Sequence, residues 1–221
     1  MLESMLTSEN KRSTGQDPNL KVVSLLNASV SGAKDLINPG YAIRTLTKQT
    51  SQGQTWFDGI RETNQVPYLT DIPNLDARKD CLLELVWCYD TFQRTSRLIQ
   101  FDFVGTYKSS LIFNEGTLRC AQRSGSAVKN TYYKLPLKEY GIYHTALQQV
   151  GDDVHLFIDG KPVHVFVNAH VFRDTDNFFF QTGRAESIFG LLFKNLRVYQ
   201  GIKYPPGEEF KPQYDFTVEN S

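Results

Sequence analysis

The sequence has few cysteines and no long apolar run, and each absence excludes a class of protein. Only three of its 221 residues are cysteine, and none of them stands in a C-x-x-C spacing. This argues against a disulfide framework and a zinc site, so we expect Cys81, Cys88 and Cys120 to be reduced and packed. No stretch approaches the roughly 20 apolar residues of a membrane span, and residues 1–14 are too polar for a secretory signal. We therefore expect no membrane insertion and no signal peptide.

Net charge is also absent. Lys and Arg together number 24, and so do Asp and Glu, which leaves a formal net charge of +0. A chain without net charge has no overall field to draw it onto nucleic acid or an anionic membrane. We therefore expect neither of these as a partner.

Aromatic residues are abundant and favour an all-β fold. They make up 13% of the chain, with 15 Phe and 11 Tyr, and such residues are typical of the inner faces of stacked sheets. The length suits a single core. We predict a two-sheet antiparallel jelly-roll sandwich over residues 17–204. A polar N-terminal arm (1–16) precedes it, and an extended, proline-containing C-terminal tail (205–221) follows it.

Short apolar runs separated by turn residues predict the strands. A nearly continuous apolar run at 81–89, broken only by Glu84, is typical of a central strand. The Gln/Ser/Thr-rich residues 48–55 instead predict an exposed loop or an irregular edge, and no long helix is predicted anywhere. The other predicted strands are 22–26, 98–104, 108–113, 117–122, 145–150, 154–158, 163–167, 178–180, 188–193 and 195–199, with a hairpin turn at 114–116.

The strongest turn signal is Asp159-Gly160, which lies between two alternating apolar runs. Both central residues of such a two-residue hairpin turn need positive φ, which Asp and Gly tolerate. Counting outward from this turn makes His155 and His164 direct cross-strand neighbours. On the same count, one face of the hairpin belongs to the core, and its members are Val154, Leu156, Ile158, Val163, Val165 and Val167.

The residues around this hairpin are similar to a known type of domain. The runs 143–147 (YHTAL) and 151–160 (GDDVHLFIDG) resemble the hairpin of laminin G-like and pentraxin-like domains, which have the concanavalin A-like fold. In those domains an aromatic-His-x-Ala-Leu strand leads to a Leu-Tyr/Phe-Val-Asp-Gly turn. The resemblance implies a concanavalin A-like jelly roll for this chain.

Both ends of the predicted domain are similar to the sub-group of this superfamily found in bacteriophage structural proteins. Residues 17–26 (DPNLKVVSLL) resemble its opening, and residues 196–204 (LRVYQGIKY) resemble its last strand. Ile142 stands where the family has Trp, Lys194 and Asn195 stand where it has acidic residues, and the Asp-Gly after its opening strand is missing. These differences argue against carrying over the calcium site of some relatives.

The superfamily also contains glucanases and lyases, so an enzyme is the main alternative. Retaining glycosidases need two carboxylates about 5 Å apart, commonly from alternate positions of one strand. Glu84 and Asp102 are isolated strand carboxylates, and we interpret them as hydrogen-bonding residues at an edge or on the concave face. A lyase needs a Tyr or His base with an Arg or Gln to neutralise a uronate. Its candidate residues are Gln100, Arg119, Tyr143, His144, His155 and His164, and we predict no catalytic residue among them.

Two kinds of binding site have candidates in or near loops. Asp174, Asp176 and Asn177 offer the oxygen ligands that calcium prefers, although such turn residues usually cap and solvate the backbone. No other cofactor is expected, because the pair of imidazoles described above lacks a third metal ligand. Aromatic rings stack on the C–H faces of sugars, although core packing explains the same residues equally well. The candidate sugar-binding residues are Trp56, Tyr68, Tyr107, Tyr132 and Tyr133.

The predicted function is that of a non-enzymatic surface protein of a bacteriophage virion, either tail-associated or a capsid decoration, assembled in the host cytoplasm. We expect its arm and tail to contact other virion proteins. A host polysaccharide is the candidate ligand, and a homo-oligomer is the candidate assembly. The alternatives are a polysaccharide lyase or glycoside hydrolase on the same fold, and a free-standing lectin that needs no assembly partner.

Overall fold

The computed structural model contains β-strands and no helix in the part of the chain that it describes. None of these residues therefore forms a helix long and apolar enough to cross a membrane. The described residues are 17–30, 34–40, 46–59, 68–69, 72–76, 78–89, 96–104, 107–114, 117–124, 126–136, 138, 141–171, 178–179 and 191–218. The strands are β1 (Lys21–Asn27), β2 (Leu46–Ser51), β3 (Gln54–Gly59), β4 (Tyr68–Leu69), β5 (Cys81–Tyr89), β6 (Ser96–Val104), β7 (Tyr107–Asn114), β8 (Thr117–Ser124), β9 (Ala127–Lys134), β10 (Ile142–Val150), β11 (Asp153–Ile158), β12 (Lys161–Phe166), β13 (Phe178–Phe179) and β14 (Leu191–Gln200).

These strands form two antiparallel sheets. The larger sheet has eight strands in the order β12-β11-β10-β5-β14-β3-β2, and β1 pairs with β14 beside β3. The smaller sheet has six strands in the order β4-β13-β6-β7-β8-β9. Strand β5 lies in the middle of the larger sheet, between β10 and β14, which confirms the prediction of a central strand.

The core lies between the two sheets. Trp87 is buried there, and its indole N–H donates a hydrogen bond to Thr145 Oγ1 at 2.9 Å, so the one polar atom of this large ring is satisfied. Leu118 and Cys120 enter the core from the smaller sheet. All three cysteines are free and buried, as predicted, and burial raises the pKa of Cys120 to about 12. The larger sheet contributes Leu83, Leu85, Leu147, Val154, Leu156 and Val198, among others.

The turn at Asp159-Gly160 is confirmed. Both residues have positive φ, 49° and 76°, as a two-residue hairpin turn requires. Gly160 is needed for a second reason, because a Cβ at this position would lie 1.9 Å from the carbonyl oxygen of Phe210. The amide of Phe210 in turn donates to the carbonyl of Gly160 at 2.9 Å, so the C-terminal tail is joined to this turn.

A β-bulge changes the register just beyond this turn. Phe157 pairs with Pro162, as the count from the turn predicts, but the next residue, Leu156, pairs with His164. Pro162 has no N–H to donate to the ladder, and such residues are commonly found at bulges and edge strands. The prediction that His155 and His164 face each other is therefore wrong.

The bulge also reverses the two faces of β12. The three β11 residues predicted for the core are confirmed, but on β12 the core-facing positions are taken by His164 and Phe166. Val165 and Val167 are 41% and 55% exposed, so their prediction as core residues is wrong. Val163 is half-buried and packs against the core.

Two other segments differ from the sequence prediction. Residues 48–55 belong to a regular hairpin of β2 and β3, with Gln52 and Gly53 at φ 50° and 70°, so the loop predicted there is wrong. The alternative prediction of an edge is correct in that β2 is an outermost strand of the larger sheet. No strand is predicted for residues 127–134, where the structure has β9. This strand is mostly exposed and polar, so it lacks the alternation of apolar and polar residues by which strands are predicted. The hairpin of β7 and β8 is confirmed by the pairing of Asn114 with Thr117.

Candidate functional site

The outer face of the larger sheet, opposite the core, carries a buried group of charged and hydroxyl side chains. Glu84 is at its centre on β5, and Arg197 on β14 lies directly opposite in the register. Arg197 Nε is 2.7 Å from Glu84 Oε2. His144 Nε2 on β10 is 3.3 Å from Glu84 Oε1, and Lys203 Nζ is 3.4 Å from Glu84 Oε2. The hydroxyl of Tyr204 also donates to Glu84. We call these five residues the Glu84 cluster.

The charge of the Glu84 cluster is set by competition between burial and pairing. Burial alone would raise the pKa of Glu84, but the contact with His144 and the charges of Arg197 and Lys203 outweigh it and lower that pKa to about 2. Burial lowers the pKa of Lys203 to about 8, although Glu84 opposes the shift. Burial and the nearby carboxylate raise the pKa of Tyr204. At neutral pH Glu84 is thus a carboxylate, and its oxygens are already paired with the other residues of the Glu84 cluster.

The C-terminal tail covers the Glu84 cluster. Phe210 stacks on Tyr204 with ring centroids 3.5 Å apart, and Gln213 Oε1 accepts a hydrogen bond from Arg197 Nη2 at 2.6 Å. Phe216 is fully buried, with the guanidinium carbon of Arg197 4.0 Å from its ring centroid. Because the cluster is closed in this way, its chemistry holds the tail on the sheet and offers no open surface to a ligand.

The outer face of the smaller sheet is open at β8 and β9. Leu118 and Cys120 point into the core, so the alternating residue Arg119 points outward. Tyr132 lies directly opposite Arg119 in the register and is 61% exposed. Asn130 is exposed on the same side of β9. We call Arg119, Asn130, Tyr132 and their exposed neighbour Lys134 the β8–β9 face.

Arg119 has no partner of opposite charge in the β8–β9 face. Its Nε atom is buried, and no hydrogen bond or ion pair satisfies it within the described part of the chain. A buried donor without an acceptor is unfavourable by about 1–3 kcal/mol. Arg119 therefore places a half-buried guanidinium, with one unsatisfied N–H, next to an exposed aromatic ring.

The sequence-predicted sugar-binding residues are placed at different points of the fold. Trp56 lies in β3, is buried, and donates its indole N–H to the carbonyl of Ser51 at 3.0 Å, so neither face of its ring is open. Tyr133 points towards the core, and its hydroxyl contacts His164 Nδ1 at 3.0 Å where the two sheets meet at one edge. Only the backbones of Tyr68 and Tyr107 are described, in β4 and β7.

The predicted lyase residues do not gather into one site where the structure describes them. Tyr143 packs in the core, and His144 lies on the outer face of the larger sheet. His164 belongs to the edge of the sandwich, whereas Arg119 lies on the far side of the smaller sheet. Only the backbone of Gln100 is described.

The predicted calcium residues Asp174, Asp176 and Asn177 lie outside the described residues, so calcium binding there stays a prediction. No group of three or more His, Cys, Asp or Glu side chains within the described ranges is arranged to hold a metal ion. A cleft of about 700 Å³ at one end of the larger sheet does contain Asp17 and Asp80 among its polar lining residues. Asp17 accepts from the amides of Asn19 and Ile202, and Asp80 from that of Gly151, so these carboxylates hold backbone turns.

Sequence reasoning missed the pairing in the Glu84 cluster, although a signal for it was present. Glu84 interrupts one apolar run and Arg197 interrupts another. A charge inside an apolar strand implies burial, and buried charges need partners. Glu84 is the hydrogen-bonding residue that the sequence predicts, but it lies in a central strand and not at an edge.

Comparison with known proteins gives similarity of fold and not of sequence. No family model matches this chain, and no curated protein matches it by sequence. Among solved structures, domain 4 of AbnA, a GH43 extracellular arabinanase from Geobacillus stearothermophilus, in complex with arabinotriose, is similar over 84% of this chain and 95% of that one. Its TM-score is 0.59 and its identity 15%.

A sialidase from Trypanosoma rangeli, in complex with sialic acid, is also similar. The match covers 80% of this chain but 30% of the sialidase chain, with a TM-score of 0.54 and 15% identity. A mutant of that sialidase displaying trans-sialidase activity matches over the same shares with a TM-score of 0.51. At such low sequence identity these similarities concern the fold alone, and they agree with the two sheets described above. The chain has the predicted two-sheet antiparallel jelly-roll sandwich of the concanavalin A-like kind.

Proposed function

We propose that this chain is a non-enzymatic module that binds carbohydrate through the β8–β9 face. The observation that carries this proposal is the exposed ring of Tyr132 beside the half-buried guanidinium of Arg119, whose Nε has no hydrogen-bond partner. A sugar ring presents C–H groups to an aromatic face and hydroxyls to neighbouring polar groups, and Asn130 and Arg119 supply such polar groups next to Tyr132. Support also comes from domain 4 of AbnA, which has this fold and is in complex with arabinotriose.

Replacing Tyr132 with alanine is expected to weaken carbohydrate binding at least about tenfold, because the stacking surface is lost. Binding is measured by isothermal titration with polysaccharides first identified on a glycan array. Since Tyr132 is an exposed residue of an edge strand, the variant should keep its melting temperature within a few degrees.

The matched control for Tyr132 is Tyr214→Ala. Tyr214 is also an exposed tyrosine, at 40%, but it lies in the C-terminal tail on the other side of the sandwich. The control is expected to bind as the unchanged chain does. Equal loss in both variants, or no loss in Tyr132→Ala, contradicts binding at the β8–β9 face.

The pairing and burial of Glu84 favour a binding role for this chain over a catalytic one. Glu84 lies at the centre of the larger sheet, where it is paired with Arg197 and covered by the tail. A catalytic acid or base needs access to its substrate and a pKa near the working pH, and the pKa of Glu84 is lowered to about 2. Release of reducing ends or unsaturated products from a bound polysaccharide would contradict the non-enzymatic proposal.

We place this module on the surface of a bacteriophage virion, on the tail or as a capsid decoration, with a host polysaccharide as its ligand. The support is the resemblance of residues 17–26 and 196–204 to the ends of phage structural domains. These two segments contain β1 and most of β14, which pair with each other. Other virion proteins are the proposed partners of the arm at residues 1–16.

Deleting residues 1–16 is expected to abolish incorporation of the chain into phage particles while the sandwich still folds. Incorporation is followed by sedimentation of particles assembled with either form, and folding by the melting temperature of the purified chains. Particles that contain the shortened chain in unchanged amount would contradict the assembly role of the arm.

A further inference from the structure

The net charge of zero conceals an uneven distribution along the chain. Residues 96–134, which form β6 to β9, contain six Lys or Arg residues and two Asp or Glu residues. The remaining residues therefore carry a net negative charge of the same size as the net positive charge of this segment. Residues 96–134 are thus a basic segment of a neutral chain, which the overall composition does not reveal.

The described basic side chains of this sheet lack acidic partners. Arg119 has a buried Nε atom without a hydrogen-bond acceptor. Lys134 is exposed on the β8–β9 face, and Lys129 is exposed on the same strand. No ion pair is found for these three residues among the parts of the chain that are described. This contrasts with Arg78, whose guanidinium is 3.2 Å from the carboxylate of Asp76.

We propose that the carbohydrate bound by the β8–β9 face is an anionic polysaccharide. Residues directly opposite on antiparallel strands have Cβ atoms about 4.5–5.5 Å apart, so Arg119 and Tyr132 reach the same sugar unit or adjacent ones. The guanidinium of Arg119 donates to an acidic group of the polymer, in the two-bond geometry that arginine forms with carboxylates. Tyr132 stacks on the ring that carries this group, and Lys134 adds charge beside it.

Nucleic acids and anionic membranes also attract basic surfaces, but the β8–β9 face suits them less well. Binding to phosphates alone uses many cations, and the affinity grows with the number of phosphates neutralised. Here one arginine, with an unsatisfied Nε, adjoins one exposed aromatic ring. That combination fits a polymer in which a C–H-rich ring and an acidic group alternate.

The test compares polymers that differ only in charge. The full chain is titrated with polygalacturonate and with its fully methyl-esterified form, and likewise with dextran sulfate and with dextran. We expect binding by the anionic member of at least one pair, at least about tenfold weaker binding by its neutral counterpart, and weakening by 0.5 M NaCl. Arg119→Gln is expected to lower the affinity for the anionic polymer at least tenfold, whereas the matched control Arg78→Gln leaves it unchanged.

This inference rests on the proposed function, and the outcomes separate the two. One outcome is that neutral and anionic polymers bind equally well, that Tyr132→Ala abolishes binding and that Arg119→Gln does not. In that case carbohydrate binding stands and the anionic preference is overturned. If no polysaccharide binds, both are overturned. Tighter binding to homopolymeric RNA or to phosphatidylserine vesicles than to every anionic polysaccharide also overturns the inference.

Discussion

Replacing Arg197 with methionine is expected to lower the free energy of unfolding by about 3–5 kcal/mol, which is the usual result when one partner of a buried ion pair is removed. Arg197 and Glu84 are both fully buried and 2.7 Å apart. Methionine fills much of the space of arginine but leaves the carboxylate with Lys203 as its one nearby full charge among the described residues, at 3.4 Å and 20% exposed. Urea unfolding of both chains at neutral pH measures the difference.

A double variant and a surface variant separate pairing from packing in this experiment. Glu84→Leu combined with Arg197→Met removes both charges, and it is expected to recover more than half of the loss, because the uncompensated carboxylate is gone. Arg78→Met breaks an exposed pair with Asp76 and is expected to leave the free energy of unfolding nearly unchanged. A loss below 1 kcal/mol in Arg197→Met would contradict the assigned role of the pair.

The same pair predicts how stability depends on pH. The pKa of Glu84 is lowered from an ordinary 4.5 to about 2 in the folded chain, so the unfolded chain binds this proton more readily. The stabilisation from Glu84 is therefore complete above about pH 4.5 and is lost as the pH falls towards about 2. In Arg197→Met the pKa of Glu84 in the folded chain rises towards that of the unfolded chain, so the acid-induced loss of stability that is due to Glu84 should be smaller and should end at a higher pH than in the unchanged chain.

The sequence predicts local features of this fold well, and non-local pairings poorly. Asp159-Gly160 specifies its own turn, because the positive φ values depend on these two residues alone. The register of β12 fails two residues later, since a bulge follows Pro162 and a count from the turn cannot include it. The core residues predicted on the neighbouring strand β11 are correct, because the bulge does not change which face of that strand is buried.

The candidate sites show the same division. Tyr132 belongs to a set of five aromatic residues chosen by type, and the exposure of its ring becomes known only from the pairing of β9 with β8. Arg119 and Tyr132 are 13 positions apart in the sequence, so the periodicity of a single helix or strand does not predict that they are neighbours. Glu84 and Arg197 are separated by 113 positions, so their contact requires the order of strands in the larger sheet.

Replacing Phe216 with alanine is expected to lower the free energy of unfolding by about 3–5 kcal/mol, the range for a buried phenylalanine. This residue lies five positions before the last residue of the sequence, and its side chain is fully buried against Leu25 and Val86. Its ring also lies over the guanidinium of Arg197, at 4.0 Å. Its backbone oxygen accepts hydrogen bonds from Asn27 and Asn195, at 3.0 and 3.3 Å. The measurement is urea unfolding followed by intrinsic fluorescence.

The matched control is Val218→Ala, two positions further on. Val218 is 56% exposed, so its loss is expected to change stability by less than about 0.5 kcal/mol. A chain that ends at Tyr204 tests the same packing more severely, because it uncovers Leu82, Val86 and Phe157 together with the Glu84 cluster. We expect that chain to aggregate or to unfold below physiological temperature. If it folds with an unchanged melting temperature, or if Phe216→Ala costs no more than Val218→Ala, then the tail is an appendage of the sandwich and not part of its packing.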